Sequence, residues 1–168
     1  MATITTITYA ADATLTVAAW TTTLAATEKA TSSIYNNSSG YVDILVGGTI
    51  PTAATPVAGD TWDIYVVAQH SDTATDMTGG IGTALGAAAE VAEDTAYVKA
   101  NSVLITSVSP RLVTPGTALT YHWGPIGIAQ FFGGLMPKNF MLLLHNNTAA
   151  APSAICTVDL VGITYTNT

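Results

Sequence analysis

Charge is what this sequence has least of. Only fifteen of its 168 residues carry one, four basic and eleven acidic, giving a net charge of −7. A compact chain of 17.2 kDa exposes about 7,800 Å² by the usual scaling of surface with mass, so each charge serves roughly 500 Å². An ordinary domain, with about a quarter of its residues charged, has nearly three times that density. A surface so thinly charged is poorly defended against association. Either other subunits cover much of it, which is the simpler reading, or a neutral Thr- and Ser-rich surface belongs to a secreted protein.

Basic residues are the scarcest of all. Lys29, Lys99, Arg111 and Lys138 stand far apart, so no stripe of them can neutralise phosphates and nucleic acid is not an expected partner. Cysteine occurs once, at Cys156, which excludes an internal disulfide and reads as an inert core residue. Membrane-spanning runs are missing too. The longest uncharged stretch, residues 112–137, is broken by Pro115, Gly116, Pro125, Gly127, Gly133 and Gly134 and contains His122, so no membrane partner is expected. The opening residues Met1-Ala-Thr-Ile-Thr-Thr6 show neither the basic nor the apolar region of a signal peptide.

What the sequence does contain favours strands. Thr (29) and Ala (27) make up a third of the chain, and Val, Ile and Tyr recur throughout. β-Branched and aromatic side chains suit a pleated, half-buried surface. Strand-like runs fall at residues 3–9, 13–19, 41–46, 62–68, 102–108, 118–123, 127–132, 140–145 and 155–165, with further candidates at 20–26 and 31–35. Turn signals separate them, among them Asn36-Asn37-Ser38-Ser39-Gly40, Gly47-Gly48, Gly124-Pro125 and Gly133-Gly134. The run 62–68 has large side chains on both faces and reads as a central strand. Residues 84–100 alone have helix composition, and form either a short helix or an excursion from the sheet. Nine to eleven short strands at this spacing predict an all-β, antiparallel, jelly-roll-like sandwich. It forms a single domain over residues 1–168, in which 1–40 supply an extended arm or edge strands.

No catalytic, cofactor-binding or metal-binding group is predicted. His70, His122 and His145 lack partners at ligand spacing, and edge-of-strand histidine is the simpler reading. Asp72, Asp76 and the acids of 90–94 lack the alternation and Gly of a calcium loop. Asp43, Asp63 and Asp159 lie within strands, where a glycosidase would need two of them paired. No Ser stands in G-x-S-x-G, and no glycine loop is built to hold phosphate. The aromatics Trp62, Tyr65, Tyr121, Trp123, Phe131 and Phe132 suit a core or a subunit interface, with a sugar-stacking platform as the alternative. Asn36, Asn37 and Asn146 satisfy N-x-Ser/Thr, a frequent accident in a chain this rich in both.

One arrangement of residues has a counterpart elsewhere. A loop ending Ala58-Gly59-Asp60 leads into Trp62-Asp63-Ile64-Tyr65-Val66-Val67 and Ser71-Asp72. Later come Met136-Pro137-Lys138-Asn139-Phe140, the apolar Met141-Leu-Leu-Leu-His145, Asn146-Asn147-Thr148, and a closing strand Val158–Tyr165. Across about residues 56–168 this resembles small tailed-bacteriophage virion proteins with jelly-roll-like folds, in which an Asp-Val-Tyr strand precedes a Ser-Asp loop. The resemblance implies a non-enzymatic virion component, and within that class a capsid decoration (cement) protein. Such a protein, made in the host cytoplasm, would sit on the outer capsid surface, often as a homotrimer, with the major capsid protein as its partner. Tail or baseplate components belong to the same virion, and a carbohydrate-binding β-sandwich module is the reading from a different class.

Overall fold

A computed structural model of the chain describes residues 4–52, 59–68, 88–89, 102–110 and 118–167. Within them lie β1 (Ile4–Tyr9), β2 (Ala13–Thr14), β3 (Glu28–Thr31), β4 (Tyr35–Asn36), β5 (Asp43–Pro51) and β6 (Thr61–Ala68). They continue with β7 (Ala88–Ala89), β8 (Val103–Val108), β9 (Thr120–Gly127), β10 (Asn139–Asn147) and β11 (Thr157–Asn167). All pairings are antiparallel. The first sheet runs β1-β11-β5-β9, with β2 also on β11; the second runs β7-β3-β10-β6-β8, with β4 also on β10.

Two of the short strands are continuations of others. Ala10 N donates to Gly162 O and Leu15 N to Val158 O, so β1 and β2 follow β11 as one strand interrupted by a bulge. Likewise β3 and β4 follow β10, interrupted at Ser32. There Ser32 N donates to Leu142 O, and Leu142 N donates to the Ser32 hydroxyl at 3.0 Å, so a side chain replaces the carbonyl that the bulge turns away. Merging these pairs and setting aside the two-residue β7 leaves eight strands. Numbered along the chain, they stand 1-8-3-6 in one sheet and 2-7-4-5 in the other. This is the order of a jelly roll, two Greek keys wound together.

The core lies between the sheets and follows from period-two alternation. β6 sends in Trp62, Ile64 and Val66, and β10 sends in Phe140, Leu142 and Leu144. Facing them are Ile44, Val46 and Ile50 of β5 with Val158 and Leu160 of β11. Trp20 and Leu24, fully buried in the irregular segment after β2, close one end, and the Trp20 indole donates to Ala30 O at 2.9 Å. Residues 15–30 thus reach well inside the sandwich. β10 is buried on both faces: behind the core, Met141 and Leu143 pack with Val67, Ile34 and Tyr65.

Several expectations need correcting. The run 62–68 is an inner strand as expected, β6 pairing with β10 on one side and β8 on the other, but β10 is the strand buried on both faces. Gly47-Gly48 does not end β5, because Gly48 passes so close to β11 that a Cβ there would overlap Thr157 O. Gly124-Pro125 does not divide two strands: Gly124, at φ +77°, and Pro125 form a bulge within β9, opposite Gly47. Residues 129–132 are a 3-10 turn and not a strand. The run at 13–19 is regular only at Ala13–Thr14, although Leu15 and Val17 still alternate into the core. His145 is not at an edge but inside β10, 2% exposed. The proposed helix or excursion at 84–100 lies outside the described residues, except that Ala88–Ala89 pairs with β3.

Two substitutions test this account. Trp62→Ala empties a site 1% exposed and should cost about 3–5 kcal/mol in urea unfolding, out of a typical margin of about 5–15 kcal/mol. A variant of normal stability that lost only sugar binding would instead mark Trp62 as an exposed platform. Asn146 is the polar counterpart. Its buried amide lies 2.9–3.0 Å from Leu24 O, Ala25 O and Ala150 O, and its Oδ1 accepts from both Thr148 N and the Thr148 hydroxyl. Its main-chain carbonyl accepts from Thr27 N, which helps hold Thr27 at φ +62°. Asn146→Ala strands these groups and should cost on the order of 3 kcal/mol by the same measurement.

Candidate interaction surface

The outer face of the first sheet follows from the alternation that builds the core. With Val158 and Leu160 turned inward, alternation turns Thr157, Asp159, Val161, Ile163 and Tyr165 of β11 to the other face, where Ile163 is covered and Thr157, Asp159 and Tyr165 are exposed. Register sets Thr49, Gly47, Leu45 and Asp43 of β5 beside the first four. On the other side Tyr9 pairs with Ile163, and Ile7 with Tyr165.

This face has an apolar end and a polar end. Ile7, Tyr9 and Tyr165 are 53%, 60% and 47% exposed. At the opposite end the Thr49 and Thr157 hydroxyls share a hydrogen bond of 2.9 Å, the Thr14 hydroxyl lies 3.5 Å from Asp159 Oδ1, and His122 stands opposite Thr49. Gly47 adds no side chain, which leaves a groove of about 530 Å³ bordered by Asp12, Leu45, His122, Pro125, Asp159 and Val161. Its lining includes two acids and no Lys or Arg.

The strand at the apolar end is unusual for a sandwich. Thr6, Ile7, Thr8 and Tyr9 are all exposed, so both faces of β1 meet solvent there, and Tyr165 and Thr166 of β11 are exposed beside it. The two strands form a ribbon that extends past the core.

The carboxylates expected within strands are held apart. Asp43 Oδ1 accepts from Ile44 N and from Ala129 N, 2.8 Å each, and so anchors the 3-10 turn. Asp63 lies in the other sheet, where it accepts from the Ser107 hydroxyl at 2.6 Å and from the Asn147 amide at 2.5 Å. It belongs to a row, Lys29, His145, Asp63, Ser107, directly opposed across four strands on the far face, in which Lys29 and His145 are buried. Asp159 pairs with Gly47 while Asp43 pairs with Ile163. Four residues at about 3.3 Å each then separate them by roughly 13 Å, beyond the roughly 5–9.5 Å of glycosidase pairs. Among the described residues no three His, Cys, Asp or Glu side chains converge. His70, Asp72, Asp76 and the acids of 90–94 lie outside the described residues.

Of the six aromatics singled out above, Trp62 and Trp123 are in the core, with Phe131 and Phe132 packed against it. Tyr65 joins the far cluster and Tyr121 is half-buried. A stacking platform needs an exposed ring face, and neither Trp offers one. Among the described residues the aromatics that do are Tyr9 and Tyr165, which sequence reasoning did not single out. Of the three N-x-Ser/Thr asparagines, Asn146 is fully buried and the Asn37 amide is bonded to Tyr41 N and O, while Asn36 is exposed.

No protein-family model, curated protein or solved structure matches this chain.

Cys156 is 1% exposed, and burial pushes its thiol up from 9.0 to about 12. A buried neutral thiol is a poor nucleophile, so a thiol reagent should label it only after unfolding. The sign of the pH effect follows. The folded state holds this proton more tightly, so its contribution to stability is complete below pH 9 and is lost as pH rises towards 12. The loss of stability over that window should be shallower in Cys156→Ala than in the parent chain.

Proposed function

We propose that this chain is a structural protein of a tailed-bacteriophage particle. Specifically, it is a capsid decoration protein that self-associates, as a trimer, and binds the outer face of the major capsid protein shell. The observation that carries the reading is an exposed apolar end, Ile7, Tyr9 and Tyr165, on a chain with only fifteen charged residues. Exposed apolar surface with so little charge around it favours stable contact with other protein. Jelly rolls serve viral capsids and lectins alike, so the fold does not choose between them. The burial of Trp62 and Trp123 and the phage-like order of residues 56–168 favour the virion. The acidic sign suits an outer location, since a face against packaged DNA would be basic.

Electron microscopy of particles with the protein labelled tests the proposal. Label over the capsid shell is the expected outcome; label at the tail would make it a tail or baseplate component. Absence from particles, together with glycan binding at millimolar affinity or better, would replace the virion reading with a carbohydrate-binding module. Light scattering at micromolar concentration should give a multiple of 17.2 kDa.

A further inference from the structure

We propose that the ribbon formed by β1 and the end of β11 is the element through which one copy of this chain binds another. The inference deepens the assembly reading above and rests on its self-association, not on the identity of the particle.

The first argument is stability. Thr6 and Thr8 on one face of β1, and Ile7 and Tyr9 on the other, are all exposed. A two-stranded ribbon without a covered face is marginal in water, so these residues gain from contact with another surface. The second argument is the edge. β1 ends the first sheet, and no described strand pairs with its outer side. Sheet edges are normally guarded by charge, proline or bulges. The opposite edge, β9, has Pro125 and a bulge. In β1, Ile4-Thr-Thr-Ile-Thr-Tyr9 has no charge, proline or glycine, and beyond an irregularity at Ile4 its register on β11 is unbroken. Such a strand is built to accept another by main-chain hydrogen bonds.

Charge and area favour a second copy as the occupant. At a net −7, copies of this chain repel one another. Yet no charged side chain occurs in residues 1–11 or 160–168; of the acids around them, Asp12 and Asp159 border the groove, and Asp43, beside Ile163, is held by Ile44 N and Ala129 N. The ribbon is thus a neutral window through which like-charged copies can meet. A basic partner would instead be drawn to the groove acids. Ile7, Tyr9 and Tyr165 offer on the order of 400 Å², about half of the roughly 800 Å² each partner contributes to a standard interface. The adjoining threonines and the open strand edge extend that area. In a trimer, each ribbon meets a different surface of the next copy, head to tail, and three such contacts close the ring.

The test uses the full chain carrying Ile7→Asp, with Leu135→Asp as control at a site 77% exposed and outside β1 and β11. Molar mass by light scattering and thermal unfolding by circular dichroism are measured together. The parent and Leu135→Asp should give the same multiple of 17.2 kDa, and Ile7→Asp should give the monomer with its fold intact. Hydrogen exchange of the parent chain supplies a readout that does not depend on the variant folding. Amides of residues 4–9 should gain protection as protein concentration rises through the association range. An oligomeric Ile7→Asp, dissociation by Leu135→Asp as well, or protection in β1 that ignores concentration would overturn the proposal. A monomeric parent would overturn it too. If Ile7→Asp stays oligomeric while the protein is found on capsids, only the ribbon is wrong; absence from particles removes the virion reading separately.

Discussion

The architecture depends on one strand being covered on both faces. β10 runs Asn139-Phe-Met-Leu-Leu-Leu-His-Asn146 with every residue buried. Such a strand cannot alternate polar with apolar, so it is apolar for most of its length and must satisfy each polar group it does carry. Asn146 does this by holding the carbonyls of Leu24, Ala25 and Ala150. The neighbouring strands take their places from β10: β6 pairs along almost its whole length, while β3 and β4 divide the other side at Ser32. A hydroxyl in place of a carbonyl at Leu142 N lets that neighbour break its regular course without leaving a buried donor unpaired.

Among the described residues, several of the few charges are bound to other groups of the chain. Lys29 is buried next to His145, Asp63 ties β8 to β10 through Ser107 and Asn147, and Asp43 anchors the 3-10 turn. Glu28 accepts from Ala25 N and so closes the turn before β3. What remains for the surface is sparse and mostly acidic.

Alternation was legible wherever one face of a strand is buried, as in Trp62, Ile64 and Val66 or Val158 and Leu160. The sandwich and its strand number followed from that pattern. Glycine was the main source of error, because it marks both a turn and a close approach of two backbones. Gly48 and Gly124 are in strands for the second reason. The run of leucines in β10 hid its central place, since a short apolar run without a period fits several locations. The exposed ribbon was not legible either. Thr-Ile-Thr-Tyr alternates as a half-buried strand does, and period two shows that a face is apolar without showing whether another layer covers it. Only the position of β1 past the end of the core decides that.

The pairing of the first strand with the last sets an order in time. Among the described residues β1 bonds to β11 alone, which is made more than 140 residues later. Until then the uncharged Ile4–Tyr9 has no strand to join, and loop closures of that length slow folding. A nascent chain therefore presents, for most of its synthesis, a bare segment well suited to pairing with its neighbours on the same message.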